Sequence, residues 1–387
     1  MAAGLVAAAL LLAGCGNDEG GFVSTSGDHT CGVQADGSLQ CWGTDNNSDV
    51  SGPNASSDTF DQVAAGDGFT CAVRVDDRLV CWGNPSSPQV AGPNASTDTF
   101  TQVAAGESDL CAVQANKRLQ CFGNDNNGEI SGPNASIESF QQVATGDGFT
   151  CGLRTSGRLH CWGSDGNGQV SGPNASTATF TQLSTEDGAI CGVKTTGRLG
   201  CWGYQSNGQV TAANASDKNF AQVTVGGGHI CARRTTGRLM CWGYDGDGQT
   251  SGPNLSADTF NHVSAGGSET CGLKSNGGIF CWGNDNNGSV NDPNASTDTF
   301  GFPPAQLSNV RKLIDSFALK TSLPRILQGY VDKATSAVNS GNVKGACDAV
   351  KSLKSTATQE YGKRLTKDQA SQIINAADGI RASLGCG

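Results

Sequence analysis

The 387-residue chain reads as an all-β seven-bladed β-propeller of seven 40-residue repeats followed by a small all-α helical bundle. Three observations predict this. Cysteines at Cys31, Cys71, Cys111, Cys151, Cys191, Cys231 and Cys271 step by 40, and a second set at Cys41, Cys81, Cys121, Cys161, Cys201, Cys241 and Cys281 keeps the same step. An Asn-x-Ser tripeptide at Asn54, Asn94, Asn134, Asn174, Asn214, Asn254 and Asn294 follows the same period, the signature of a repeat architecture. Beyond residue 300 this lattice stops and apolar residues recur at helical spacing.

Residues 1–14, "MAAGLVAAALLLAG", are apolar but shorter than the ~20 residues that span a bilayer, and they run into Cys15 in "LAGC". The stretch resembles a bacterial lipoprotein signal peptide, which implies that Cys15 is the lipidated first residue of the mature chain. It departs from that pattern in having no Lys or Arg before Arg74. Residues 15–20 are expected to be a tether, and residues 21–300 hold the repeats without an insertion.

One repeat, from Phe140, reads "FQQVATGDGFTCGLRTSGRLHCWGSDGNGQVSGPNASTAT". The runs "QQVAT", "FTCGLR", "RLHCWG" and "GQVS" are strand-like and are separated by Gly, Asn, Asp, Ser and Pro clusters, as in antiparallel hairpins. Four short strands per repeat suit one propeller blade, and seven blades close a ring without long exposed edges. If Thr155–Gly157 is a three-residue loop with Gly157 left-handed, Cys151 lies across from Cys161. Their β-carbons are then about 4.5 to 5.5 Å apart, close enough to bridge with little strain. Seven such disulfides imply an oxidising compartment. A ten-residue cysteine spacing with four scattered histidines is not zinc-ligand spacing. The recurrent "SGPNAS" reads as a turn between blades, in which Pro sets φ and the Asn and Ser side chains bond nearby amides, rather than as a glycan acceptor.

After a linker at 301–305, residues 306–387 are expected to form four helices. Leu307, Val310, Leu313, Ile314 and Phe317 mark the first, and Ile326, Leu327, Tyr330, Val331, Ala334 and Val338 the second. Val343, Ala346, Cys347, Val350 and Leu353 mark the third. Thr366 with Gln369 is a capping box opening the fourth, whose apolar face is Ile373, Ile374, Ala377 and Ile380. Cys347 is expected to pair with Cys386. The wording of this region resembles the FIMAH helical module of secreted bacterial proteins.

The strings "AGDGFTCAV", "RLVCWG" and "QVSGP" resemble repeats of the regulator of chromosome condensation superfamily, and the short period resembles in particular the bacterial type II β-lactamase inhibitor protein. The resemblance implies a seven-bladed propeller that binds through one face. It leaves the activity open, because sites are grafted on folds.

Net charge divides at the same boundary: residues 1–300 carry −16 and residues 301–387 carry +6, together the −10 of the chain. With strands alternating up and down, the loops before the first and after the second cysteine of each repeat share one face of the disc. That face collects Asp28, Asp67, Glu107, Asp109, Asp147, Asp187 and Glu269 with Asp45, Asp125, Asp165, Asp245, Asp247 and Asp285. The opposite hairpins hold Arg74, Arg78, Arg118, Arg154, Arg158, Arg198, Arg234 and Arg238. Two residues before the first cysteine the repeats differ, with His29, Phe69, Asp109, Phe149, Ala189, His229 and Glu269 in turn. Variation on a fixed frame is what a binding rim shows. The Trp of each "CWG" recurs with the frame and reads as packing between blades.

No histidine recurs beside a nucleophile, so no catalytic residues, cofactor or metal are expected. "YDGDGQT" and "NDNNGEI" echo a calcium loop, but Gly243 and Gly123 stand at the first ligand position. The leading expectation is a non-enzymatic, exported, lipid-anchored scaffold, monomeric and without nucleic-acid affinity. It binds an envelope or extracellular protein or polymer through its acidic face. The alternatives are an inhibitor of a secreted enzyme, which would carry aromatic anchors in the first loop, and a glycan-binding module or envelope enzyme, for which Tyr204, Tyr244 and Phe122 are the candidate platforms. Replacing Cys15 with Ser is expected to release the protein from membranes, checked by fractionation with a salt wash.

Overall fold

The computed structural model describes residues 23–34, 36–285, 288–298 and 300 and, further on, 314, 317, 323–339, 343–366, 369–370, 372–374 and 377. Cys15, the leader, the tether, the 301–305 linker and Cys386 lie outside the described residues. Two compact units divide between Ala305 and Gln306.

Seven three-stranded antiparallel sheets follow one another along the first unit, the arrangement of a seven-bladed propeller. Blade 4 shows the pattern: an inner strand Phe140–Gly146, a middle strand Phe149–Arg154 and an outer strand Leu159–Gly163. Blade 1 is described from Val23 onward, and the inner strand of blade 2 starts at Phe60, with later ones starting every 40 residues through Phe260. The hairpin closes as predicted, Arg154 N–H donating to the Arg158 carbonyl at 2.9 Å and Gly157 standing at φ +82°. All seven within-blade disulfides form, from Cys31–Cys41 to Cys271–Cys281.

The expected fourth strand is replaced by a single helical turn over "SGPNA", Ser171–Ala175 in blade 4. Its asparagine does the work of the missing strand. Cys161 N–H donates to Asn174 Oδ1 at 2.8 Å, and Asn174 Nδ2 donates to the Cys161 carbonyl at 2.9 Å. The same two bonds join Asn54, Asn94, Asn134, Asn214, Asn254 and Asn294 to the second cysteine of their own repeat. The outer cysteine therefore points its backbone away from its partner strand. That makes Cys151 and Cys161 a non-hydrogen-bonded pair, in which opposed side chains come closest.

The inner edge is treated alike. Gln142 Nε2 donates to the Leu183 carbonyl at 2.8 Å, and Leu183 N–H donates to Gln142 Oε1 at 3.0 Å. Gln102 joins Val143, Gln182 joins Val223 and Gln222 joins Val263 in the same way, each linking one blade to the next. The tryptophans also pack across blade boundaries: Trp162 lies so close on Gly132 of the preceding turn that a Cβ there would sit 2.6 Å from its ring.

The ends of the repeat region meet in blade 1. Phe300 pairs with Gln34, as Phe60 pairs with Arg74 in blade 2, and its ring meets Trp42 at 5.6 Å. Thr25 N–H donates to Ser264 Oγ at 3.2 Å and Ala65 N–H to Ser24 Oγ at 3.0 Å, tying blade 1 to blades 7 and 2.

In the second unit, helices Leu323–Asn339 and Val343–Glu360 pack through Leu327, Val331, Val350 and Leu353, joined by Ile373 and Ala377. The capping box forms: Thr366 N–H donates to Gln369 Oε1 at 3.0 Å and Gln369 N–H to Thr366 Oγ1 at 3.3 Å. Cys347 is disulfide-bonded. No helix among the described residues is long and apolar enough to cross a membrane.

Asn174→Ala leaves both backbone groups of Cys161 without their partner and is expected to destabilise the propeller by about 1–3 kcal/mol. Ser176→Ala, which removes the same sequon but neither bond, is expected to cost less than half as much. Denaturant unfolding compares the two.

Candidate functional site

The inner strands carry small residues, among them Ser24, Ala64, Ala105, Ser184, Thr224 and Ser264, around a central cavity of about 300 Å³. At its mouth the turn after the inner strand places Asp67, Glu107, Asp147 and Asp187 at one exposed position in blades 2 to 5. Gly27, Gly227 and Gly267 hold that position in blades 1, 6 and 7. The acids thus form a contiguous half-ring.

Glu107 is shifted upward by burial and then by Asp147, Asp67 and Asp187. Asp67 is shifted upward by burial and Asp28, and Asp187 by burial and Asp147. Glu186 is half-buried where it lines the cavity and is pushed up to about 8, chiefly by desolvation there and next by Glu107. The half-ring is a site where anionic charge is held at a cost, which a cationic ligand would relieve.

The variable position lies inside the blades, not on the rim. His29, Phe69, Asp109, Phe149, Ala189, His229 and Glu269 open the middle strands and are at most 3% exposed. A second position 20 residues on, buried in all blades but the second, is held by Asp49, Gln89, Glu129, Gln169, Gln209, Gln249 and Ser289. Gln169, Gln209 and Gln249 accept from the turn amides of Asn167, Asn207 and Asp247 at 2.8–3.1 Å. Glu129 accepts from Asn126 and Asn127, and Asp109 beside it is pushed up to about 8 by burial and by the Glu129 charge. Glu269 accepts from Thr25 and Ser289 but is still pushed up to about 7 by burial. His229 bonds Thr270 Oγ1 at 2.9 Å and is held down at about 4 by burial.

Asp45, Asp125, Asp165, Asp245 and Asp285, expected on the acidic face, are engaged structurally. Each Oδ1 accepts from the N–H groups five and six residues on, at 2.8–3.1 Å, and so holds the entry to the helical turn. The bond from Ser171 N–H is the main cause that keeps Asp165 below the usual carboxylate range. At Asp245 desolvation opposes ionisation, but the bonds from Ser251 and Thr250 outweigh it and bring the group to about 2. This local geometry accounts for the calcium-loop echo.

Blade 1 differs again. His29 Nδ1 lies 2.8 Å from Asp28 Oδ1, and the buried carboxylate of Asp49, which sequence reasoning missed, completes a cluster whose ligand atoms are all within 4.8 Å of one another. The available signal was the shortening of Gln or Glu to Asp at this one repeat position.

The model of the regulator of chromosome condensation (RCC1) repeat matches residues 60–88, 140–169, 220–249 and 260–289. No curated protein matches the chain. Among solved structures, the ectodomain of the Physcomitrella patens receptor kinase CR4 superposes with a TM-score of 0.57 at 24% identity, over 67% of this chain and 72% of that one. The CRINKLY WD40 ectodomain of the Arabidopsis thaliana receptor kinase ACR4 gives 0.55 at 20%, over 69% and 96%. Prp20p from Saccharomyces cerevisiae, described with its binding properties to Gsp1p and histones, gives 0.51 at 13%, over 67% and 81%. These likenesses are to the fold, an RCC1-like propeller.

Burial raises Asp109, Glu186 and Glu269 to about 8, 8 and 7 from ordinary values of 3.8 and 4.5, so that below these values the native state binds their protons. Their contribution to stability is complete below pH ~4 and is lost as pH rises through 7 to 8. His229 acts oppositely, but its contribution is already complete above its ordinary value of 6.5. The melting temperature is therefore expected to fall between pH 6.5 and about 8.5, and Asp109→Asn to make that fall shallower. Thermal melts at constant ionic strength measure both.

Proposed function

We propose that this chain is an exported, lipid-anchored propeller that binds a basic protein or polymer at the cell envelope through the half-ring at its channel mouth. The observation that carries the reading is the placement of Asp67, Glu107, Asp147 and Asp187 on adjoining blades while the other three blades have glycine there. A cluster of one sign on a rigid rim steers cationic partners and gains most when its charge is matched. Seven disulfides support an oxidising, extracytoplasmic setting, and the "LAGC" leader supports anchoring through Cys15. Prp20p, a propeller of the same kind, has binding properties to proteins. The inhibitor alternative is weakened because Phe69 and Phe149, the aromatic residues of the first loop, are buried and offer no anchor.

A combined Asp67→Asn, Glu107→Gln, Asp147→Asn and Asp187→Asn variant is expected to keep or slightly gain stability. It is expected to lose about tenfold or more in association rate for a partner captured from envelope extract at low salt. Equal rates for variant and wild type would rule out the half-ring as the binding face.

A further inference from the structure

Asp49 is fully buried, and neither oxygen of its carboxylate accepts a hydrogen bond. Burial shifts the group upward, opposed by the charge of His29 and then by the Asn46 amide, which does not complete a bond. In blades 4, 5 and 6 this position is glutamine, whose amide reaches the turn backbone. Aspartate is one methylene too short for that reach, so its charge is turned toward His29 and Asp28 instead.

The imidazole is set by its other contact. Thr70 Oγ1 donates to the Asp49 carbonyl at 2.7 Å, so toward His29 Nε2, 2.8 Å away, it has only lone pairs to offer. Nε2 therefore carries the hydrogen, and Nδ1 turns toward Asp28 Oδ1 at 2.8 Å. That contact is satisfied either by a second hydrogen on the ring, which makes it an ion pair with Asp28, or by a bound cation between the two atoms, and Ser26 Oγ stands 3.1 Å from the same nitrogen. A metal-binding histidine is commonly held by donation from its second nitrogen, as here.

We infer that Asp28, His29 and Asp49 bind one divalent ion of the borderline class, Zn²⁺ or Mn²⁺, in the blade that closes the ring. Two carboxylates match a dication in charge, and an imidazole nitrogen favours these ions over calcium and magnesium, which prefer all-oxygen sets. Three protein ligands leave a coordination position open toward the central cavity, which Asp28 lines. The ion would brace the turn at Ser26–His29 against the loop at Asn46–Asp49. Blade 1 is where such a brace matters, since both ends of the repeat region meet in it, with Phe300 pairing with Gln34.

The test uses the chelator-stripped full chain, titrated calorimetrically with ZnCl₂ and in parallel with MnCl₂, with thermal melts of the same samples. The comparison is a His29→Phe, Asp49→Gln double variant, which recreates the Phe149 and Gln169 pair that blade 4 already folds with. One saturable site per wild-type chain is expected for at least one ion, with a raised melting temperature, and both effects are expected to vanish in the double variant. The inference is overturned if neither ion saturates a site in the wild type, or if the double variant keeps it.

Discussion

A blade only three strands wide has backbone donors and acceptors open along both edges, and the fold depends on how these are satisfied. Open edges invite pairing with other chains. Here side-chain amides close them: asparagine on the outer strand, donating to and accepting from the second cysteine, and glutamine on the inner strand, doing the same for a residue of the next blade. A primary amide carries the same donor and acceptor as a peptide group, so one side chain substitutes for one rung of a ladder. The outer bond is coupled to the disulfide, because the register that brings Cys151 opposite Cys161 as a close pair is also the register that turns the Cys161 backbone outward.

This arrangement decides which positions can vary. Residues that make rungs, bridges or turns are repeated, and chemistry is confined to what they leave over. Two sets remain: the exposed position at the channel mouth and the linked interior pair at the start of the middle strand and 20 residues on. Four repeats keep glutamine at the second position of the pair, and three depart from it, with Asp109 beside Glu129, Glu269 beside Ser289 and His29 beside Asp49. Buried groups that share a small volume must match in charge and hydrogen bonding.

Much of this was legible in the sequence. The period, the disulfide pairs, the left-handed Gly157 and the Thr366–Gln369 capping box all rest on local spacing, and local spacing survives folding. The fourth strand was not legible, because "GQVS" has a strand-like alternation and only the contact from Asn174 to Cys161, 13 residues back, shows that the edge is already occupied. Nor was the burial of Phe69, Phe149 and their counterparts. Position in a turn does not say which way a side chain points when neighbouring blades converge. Asp45, Asp125, Asp165, Asp245 and Asp285 were placed near the correct loops but not given their role, since an acceptor for two amides looks the same in sequence as a free surface charge.

The acidic residues of the propeller therefore fall into two populations that one charge count merges. Those that hold the helical turns, present in five of the seven repeats, accept two backbone bonds each, which favour the anion at Asp165 and Asp245. Those at the mouth and inside the blades are disfavoured as anions by burial and by one another. A ligand or a change in pH acts first on the second population, since it is easier to add positive charge where anions repel than where they are bonded. The frame keeps its charge while the mouth changes its own, and recognition at the mouth is thereby separated from the interactions that keep the ring closed.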